Sequence, residues 1–273
     1  MNNQPLITVA ICTLNRADYL ADTLAALAPQ SKDPSRFEIL VIDNNSTDNT
    51  AEVCGVFEKQ HPKIRFRYVH EEEQGLSLAR NRAVNEASAS TILFIDDDVI
   101  PAESFLEAAA GYLTAYPDVP CAGGRIFVRF DSGKPDWIPK ELMPMFGLHD
   151  LGSEVMQYPK TNFPRGGNMM IRREVFDECG LFDTELGRKG TMLLGSEEKA
   201  FFAKVRERGY SPYYWPDMLL HHRIGAQRLE TPYLKNQSVG IGRSERIRVQ
   251  DSIVSTVLKL FSEFVKLLGS LFL

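Results

Sequence analysis

The sequence has little cysteine, no uninterrupted apolar run of about 18 residues and no basic or apolar leader at its start. Its four cysteines are scattered without paired spacing, which favours reduced cytosolic thiols over disulfides or a zinc site. The shortness of the apolar runs means that no membrane-spanning helix is predicted. The opening residues Met1–Pro5 do not resemble a signal peptide, so we expect a cytoplasmic protein.

Basic residues are also in short supply, with 31 Lys and Arg against 36 Asp and Glu and a net charge of -5 at pH 7. A general nucleic-acid binder needs a basic face, so this balance argues against that class of protein. Apolar residues make up 44% of the chain and charged residues 25%, which is ordinary for a globular protein with a sizeable core. The length of 273 residues fits one large α/β domain or a domain with an extension.

Strand-like and helix-like segments alternate four times along the first 100 residues. The predicted strands are 6–11, 37–42, 64–69 and 91–95, and helical patterns follow the first three. The crossovers are long enough for parallel pairing, which predicts a Rossmann-like half domain that holds a nucleotide. The first turn, Cys12–Arg16, lacks the Gly-x-Gly-x-x-Gly pattern, which counts against a dinucleotide enzyme.

The second half of the chain is less regular. A helix is predicted over 102–116 and a strand over 121–130, and the segment 131–165 is rich in Pro, Gly, Trp and Met. Such a long excursion usually carries substrate specificity. The glycine-containing segment 183–195 is predicted to be a mobile loop, and a helix over 199–208 follows it.

Three consecutive acids, Asp96, Asp97 and Asp98, end the fourth predicted strand. Three carboxylates would be costly in the interior, so the strand must deliver them to an edge of the sheet, where α/β proteins bind ligands. A divalent cation with oxygen ligands, magnesium or manganese, would neutralise them. The alternative is an acidic turn that caps a helix beginning near Pro101.

Six short motifs, taken together and in order, resemble the family 2 glycosyltransferases. They are Val9–Arg16, Val41–Asp48, Gly75–Asn81, Phe94–Asp98, Gly166–Asn168 and Gly195–Glu198. The resemblance covers residue 6 to about residue 225. It implies a GT-A fold with a mostly parallel central sheet flanked by helices, a nucleoside-diphosphate sugar donor, Mn²⁺ or Mg²⁺, and inversion at the anomeric carbon. The expected domains are 1–228, divided into a nucleotide half 1–100 and an acceptor half 101–228, and a helical extension 229–273.

The resemblance also implies which residues contact the donor. The candidates are Thr13, Asn15, Arg16, Asp43, Arg80, Asp96 and Asp97. Asp43 matches an acid that binds the base in uridine-using relatives, and it could instead, or also, form an Asx turn. Arg16 and Arg80 are expected near the base or diphosphate, with a helix-surface position as the alternative.

Asp96 and Asp98 match the outer acids of the DxD motif, which implies that Asp96 faces the ribose and Asp98 the metal. Asp97 either joins the donor contacts or points to the opposite face, because side chains alternate along a strand. His222 matches a metal- or diphosphate-binding His of many relatives. The neighbouring His221 and a solvated structural role for His222 remain alternatives, and the expected metal ligands are Asp98, Asp96 and His222.

Inverting transfer needs a base that takes the proton of the acceptor hydroxyl. Glu198 matches the Asp that serves as base in the family's Glu-Asp pair, and Glu197 is the second candidate. The alternative is that both are helix N-terminal acids stabilised by the helix dipole. Gly167, Asn168 and Trp137 are the candidate contacts to acceptor or sugar.

The tail 253–273 repeats apolar residues at helical spacing, at Ile253, Val257, Leu260, Phe261, Phe264, Leu268 and Leu271. This pattern predicts an amphipathic helix that binds a membrane interface and brings the enzyme to a lipid-linked acceptor. Packing on the catalytic domain or on a second copy of the chain is the alternative. The resulting hypothesis is a peripheral glycosyltransferase that acts on a glycan or lipid-linked acceptor. A nucleotidyltransferase-like enzyme and an inactive nucleotide-sugar binding protein are the competing functions.

Overall fold

The computed structural model describes residues 4–33, 35–190, 192–249 and 253–270. Residues 1–3, which belong to the N-terminal segment without signal-peptide features, lie outside these ranges. Leu271, the last apolar position of the pattern predicted for the tail, also lies outside them. The side chain of Leu268 is likewise outside the described part of the chain.

Within these ranges one sheet of nine strands forms the centre of the protein. The strands are β1 (Ile7–Thr13), β2 (Phe37–Asp43), β3 (Arg65–His70), β4 (Thr91–Asp96), β5 (Val99–Pro101), β6 (Cys121–Phe130), β7 (Met156–Gln157), β8 (Asn168–Arg172) and β9 (Tyr213–Ile224). The α-helices are α1 (Ala17–Leu27), α2 (Thr50–Gln60), α3 (Leu76–Glu86), α4 (Phe105–Ala115), α5 (Arg173–Cys179), α6 (Glu197–Glu207), α7 (Thr231–Val249) and α8 (Ile253–Ser270). Two 3-10 helices occupy Lys140–Phe146 and Ala226–Leu229.

The nucleotide half of the sheet is parallel, in the spatial order β3-β2-β1-β4. Strands β1, β2 and β4 are almost continuous apolar runs because helices cover both faces, whereas the edge strand β3 alternates and is partly exposed. The register pairs Thr13 with Asp43 and Cys12 with Asp96, so the polar ends of three strands meet at one edge. This arrangement confirms the mixed α/β prediction with a mostly parallel sheet flanked by helices.

The acceptor half joins β4 through antiparallel pairing with β8. The register places Ile95 opposite Asn168, which brings the loop of Gly166 and Gly167 beside the acids. At the other side, β5 pairs with β9 and places Val99 opposite His222. Strand pairing therefore delivers both the glycine loop and His222 to the end of β4.

Two apolar cores lie on the two faces of the sheet. On one face, α1 contributes Leu20 and Leu24, and α4 contributes Phe105. On the other face, Ala83 of α3 and Phe201 of α6 pack against the strands. Burying each large apolar side chain stabilises the fold by roughly 1.5–3 kcal/mol. The helices α3 and α6 therefore pack against the same core on one face of the sheet. Both helices carry charged residues of the cavity.

Some sequence predictions of the elements were wrong in detail. The helix expected near Pro101 begins at Phe105, because Val99–Pro101 pairs with β9 as a strand. That pairing excludes a helix-capping turn directly after the acids. His221 and His222 lie within the strand β9, and α6 begins at Glu197 rather than at the predicted residue 199.

The C-terminal extension consists of α7 and α8, which contact each other. No described helix is long and apolar enough to cross a membrane. The amphipathic and membrane-binding character of the last helix stays a prediction.

Candidate active site

A cavity of about 600 Å³ opens at the edge where the polar strand ends meet. Candidate residues that line it are Thr13, Arg16, Arg80, Asp96, Asp97, Asp98, Gly167, Glu197, Glu198 and His222. These residues come from both halves of the chain, so the fold brings together most of the site that the sequence predicted.

Asp98 lies buried beside two arginines and a histidine. Arg16 Nη2 and Arg228 Nη2 lie 2.7 and 2.9 Å from its Oδ2, and His222 Nε2 lies 3.3 Å from its Oδ1. Burial alone would raise the pKa of Asp98, but His222, Arg228 and Arg16 hold it well below its usual range. Neither of its carboxylate oxygens has an aligned hydrogen-bond donor among the described residues. Asp98 is therefore an ionised carboxylate held by Arg16, Arg228 and His222, and its oxygens are of the type that binds a divalent cation.

Asp97 is directed towards β1 and α1. Thr13 Oγ1 donates to its Oδ2 at 2.7 Å, and Arg16 Nη1 donates to its Oδ1 at 3.0 Å. Burial raises the pKa of Asp97 to about 6, although Arg16 opposes the shift. Through these contacts Asp97 fixes Arg16, which also reaches Asp98.

Asp96, Asp98 and His222 form a set of metal-ligand type whose ligand atoms all lie within 4.8 Å of one another. His222 Nδ1 donates to the carbonyl oxygen of Phe146 at 2.7 Å, since a carbonyl can only accept. The lone pair of a neutral His222 is then on Nε2, which accepts from Arg228 Nη1 at 2.9 Å and lies 3.3 Å from Asp98 Oδ1. A fixed tautomer of this kind is typical of a histidine that binds a metal.

Arg80 joins the nucleotide half to the acceptor half through a buried ion pair. Its Nη1 lies 2.8 Å from Glu197 Oε1 and 3.4 Å from Glu198 Oε1. Burial and the neighbouring Glu198 raise the pKa of Glu197 to about 8. Burial alone would raise the pKa of Glu198 as well, but Arg80 holds it below its ordinary value. Near neutral pH, Glu197 carries a proton and Glu198 is the ionised member of the pair.

The backbone of Gly166 and Gly167 lies between the two groups of acids. A Cβ at Gly166 would lie 2.1 Å from Glu198 Oε1 and 2.2 Å from Arg80 Nη2. A Cβ at Gly167 would lie 2.6 Å from Asp96 Oδ2. A side chain at either position would displace these charged groups, because they approach the peptide backbone directly.

Two residues that were predicted to contact the sugar donor instead stabilise the surrounding loops. Asp43 accepts hydrogen bonds from Tyr68 Oη at 2.6 Å and from the backbone N–H of Ser46 at 2.9 Å. Asn15 adopts a φ of 53°, and its Oδ1 accepts from the backbone N–H of Thr47 at 2.7 Å. The turn predicted at Asp43 therefore forms, and neither Asp43 nor Asn15 lines the cavity.

Two predicted substrate contacts lie outside the cavity lining. Asn168 is fully buried, and its Nδ2 donates to the carbonyl oxygens of Met218 and Arg125 at 2.7 and 3.1 Å. Trp137 is half exposed on the long excursion. Asn168 therefore ties β8 to β9 and β6.

Comparison with known proteins places this geometry in a family. The profile described as "Glycosyl transferase family 2" matches residues 8–180. The chain belongs to this family. Glu197 and Glu198 lie beyond the matched residues, so their assignment depends on the geometry.

Among the curated relatives of this family 2 glycosyltransferase is the glucosyl-dolichyl phosphate glucuronosyltransferase of Haloferax volcanii. The two are 24% identical over 247 residues, which cover 88% of this chain and 76% of the relative. The validoxylamine A glucosyltransferase of Streptomyces hygroscopicus subsp. limoneus is 36% identical over 126 residues, which cover 44% of this chain and 27% of that protein.

Solved structures confirm the GT-A fold. The mannosyltransferase PcManGT of Pyrobaculum calidifontis, in complex with GDP-Man and Mn²⁺, matches with a TM-score of 0.60 and 17% identity over 97% of this chain and 81% of that one. TarS of S. aureus matches with a TM-score of 0.59 and 21% identity, and covers 80% of this chain. This glycosyltransferase spans only 37% of that TarS chain.

Sequence reasoning missed three arginines that line the cavity of this glycosyltransferase, Arg165, Arg188 and Arg228. Arg165 directly precedes Gly166, and that position was the one available signal. Arg228 lies on a 3-10 helix after β9 and belongs to none of the six motifs. The arginine that follows His222 in the sequence, Arg223, pairs instead with Asp131 outside the cavity.

The raised pKa of Glu197 predicts a pH-dependent stability. Its folded-state pKa of about 8 lies above the value of about 4.3 in an unfolded chain. The stability contributed by Glu197 is therefore fully present below pH 4.3 and is lost as the pH rises through about 8. The free energy of unfolding of the wild type, relative to Glu197→Gln, should fall between pH 5 and pH 9 in urea titrations.

Glu58→Gln, at an exposed position on α2, serves as the control and should show no comparable trend. A constant difference between wild type and Glu197→Gln across this range would mean that Glu197 does not carry a proton in the folded protein.

Proposed function

We propose that this family 2 glycosyltransferase is a metal-dependent, inverting enzyme that transfers a sugar from a UDP-sugar to a lipid-linked acceptor. The observation that carries the proposal is the division of one cavity into two groups of acids. Asp96, Asp98 and His222 form one group, and Glu197 and Glu198 form the other. A single displacement needs a leaving-group side and a base side of this kind.

The residues at the leaving-group side fit a divalent cation. Carboxylate oxygens of Asp96 and Asp98 with an imidazole nitrogen suit manganese, and the aspartates alone suit magnesium. When bound, such an ion neutralises the negative charge that develops on the departing diphosphate. Arg16 and Arg228, already held at Asp98, would add two fixed positive charges for the diphosphate oxygens.

Glu198 is the proposed base at the other side. Arg80 keeps it ionised, and its side chain is 18% exposed, whereas that of Glu197 is 4% exposed. An ionised and accessible carboxylate can take the proton of an acceptor hydroxyl. Glu197, protonated near neutral pH, is suited to orient Glu198 rather than to accept a further proton.

The proposal of a uridine donor rests on sequence resemblance, because Asp43 at the end of β2 does not itself line the cavity. The neighbouring structures include TarS in complex with UDP-GlcNAc and PcManGT in complex with GDP-Man, so the fold accommodates both bases. The choice of UDP therefore depends on the resemblance of the Asp43 motif to uridine-using relatives.

The last helix supports a membrane-bound acceptor. Seven apolar side chains of α8 are 57–85% exposed, namely Ile253, Val254, Val257, Leu258, Leu260, Phe261 and Phe264. Polar side chains of α8 contact the rest of the protein. Thr256 donates to the carbonyl oxygen of Val249, and Lys259 forms an ion pair with α7. Exposed Arg243 and Arg246 on α7 would add attraction to anionic lipids.

We therefore place the enzyme at the cytoplasmic face of a membrane, with a lipid-linked acceptor. The name of the Haloferax relative includes a dolichyl phosphate, which is a lipid phosphate of the expected type. A second copy of the chain is the competing partner for the apolar side chains of α8.

Donor binding and chemistry can be separated by two substitutions. Thermal shift with a panel of UDP- and GDP-sugars should show stabilisation by one donor, stronger with Mn²⁺. Asp98→Asn should abolish the Mn²⁺ dependence, because the neutral amide is a poor ligand for the cation. Glu198→Gln should keep the thermal shift while release of nucleoside diphosphate falls about 100-fold or more.

Indifference of the wild type to every nucleotide sugar would contradict the proposed donor class. Wild-type turnover by Glu198→Gln would instead overturn only the assignment of the base.

Membrane binding is tested by flotation with vesicles that contain anionic lipid. The full chain should float, and Phe261→Asp should reduce flotation because it places a charge among the exposed apolar side chains. Ser262→Asp, at the next exposed position of the same helix, is the matched control and should float. Equal flotation of the full chain and of both variants would contradict a membrane role for α8. A dimer in solution that Phe261→Asp dissociates would instead favour a second copy of the chain as the partner of α8.

A further inference from the structure

The segment that leads into α6 lacks regular secondary structure of its own. Between Leu186 and α6 the described residues of the segment are joined to each other by the isolated bridge of Lys189 with Met192 and by a long hydrogen bond of 3.5 Å from the N–H of Gly187 to the carbonyl oxygen of Gly195. Gly187 and Gly190 adopt positive φ angles of 87° and 54°. The segment also lines the cavity, so contacts from outside must fix the start of α6 and with it Glu197 and Glu198.

Ser196 precedes Glu197 and adopts a left-handed conformation with a φ of 69°. This conformation is unfavourable for a residue with a Cβ and persists where the surroundings enforce it. The contact that enforces it comes from α7, because Ser196 Oγ donates to Glu245 Oε1 at 2.9 Å. The preceding N–H, of Gly195, donates to Ser244 Oγ at 2.8 Å.

One turn earlier on α7, Gly240 contacts the same segment. A Cβ at Gly240 would lie 2.0 Å from the carbonyl oxygen of Leu193. Gly242, two residues further along the helix, has open space around the same position. Of these two glycines, only Gly240 brings the backbone of α7 into direct contact with the backbone of the loop.

Glu245 also connects α6 and α8 to this contact. Lys199 Nζ of α6 lies 2.8 Å from its Oε2, and Lys259 Nζ of α8 lies 2.7 Å from the same atom. Burial would raise the pKa of Glu245, but hydrogen bonds from Arg248, Lys199, Lys259 and Ser196 hold it well below its usual range. Glu245 is thus a buried, ionised carboxylate that binds the loop, α6 and α8 at once.

We infer that α7 positions the proposed base, with Gly240, Ser244 and Glu245 as positioning residues that hold Gly195 and Ser196 where α6 begins. These residues lie beyond the part of the chain that the family profile matches. The inference rests on the proposed function, because it assigns these residues to the placement of Glu198. It also connects α8 to the catalytic glutamates through Lys259 and Glu245.

Two matched glycines on one helix test the inference. Gly240→Ala should lower kcat for nucleoside diphosphate release about tenfold or more, since displacement of a catalytic group by about 1 Å has effects of this size. The affinity for UDP and Mn²⁺, measured by calorimetry, should stay within about twofold of wild type because that site lies at the other acids. Gly242→Ala should keep wild-type kcat and gain helix stability.

A second pair of variants covers the case in which Gly240→Ala does not fold. Ser196→Ala loses the hydrogen bond to Glu245 and keeps a Cβ in the left-handed conformation, so kcat should fall. Ser196→Gly loses the same hydrogen bond but adopts this conformation freely, and it should recover much of the lost kcat. A role in stability alone would change the melting temperatures and leave kcat of the folded variants equal.

The outcomes distinguish this inference from the proposed function. Wild-type kcat in Gly240→Ala and Ser196→Ala, with Glu198→Gln inactive, would overturn the positioning role and leave the base in place. Full activity of Glu198→Gln would overturn the proposed base itself.

Discussion

The buried ion pair of Arg80 with Glu197 and Glu198 is the interaction on which the site depends. Three ionisable groups removed from water would be too costly without mutual pairing, so α3 and α6 must stay in register for the fold to persist. The same pairing divides the roles of the glutamates, since Arg80 keeps Glu198 ionised while burial leaves Glu197 protonated. The pairing of Arg80 with the two glutamates therefore contributes both to the stability of the fold and to the proposed chemistry.

A second constraint is the backbone of Gly166 and Gly167, which passes between the acids of β4 and those of α6. Asp96 and Glu198 approach this backbone so closely that a side chain on either glycine would displace them. Strand β8 begins directly after these glycines, and its antiparallel pairing with β4 fixes their position. The cavity can hold a cation on one side and a base on the other because a strip of backbone without side chains separates them.

The sequence predicted those parts of the site that local patterns encode. Apolar runs that end in polar residues indicated the edge at Thr13 and Asp96, and the resemblance of Gly195–Glu198 to a motif of the family indicated Glu197 and Glu198 as candidate site residues. Arg228 and the contacts of α7 could not be predicted, because they arise from strand pairing and helix packing between distant segments. Asn168 shows the converse, since a motif position expected in the cavity is used to connect three strands.

The central claim is that displacement occurs in one step between the acids of β4 and Glu198. The most direct measurement is the anomeric configuration of the glycoside formed from the donor, determined by proton NMR from its coupling constant. A configuration opposite to that of the donor sugar is predicted, because the acceptor activated by Glu198 attacks from the side away from the diphosphate. A retained configuration would require a second displacement and would contradict the account.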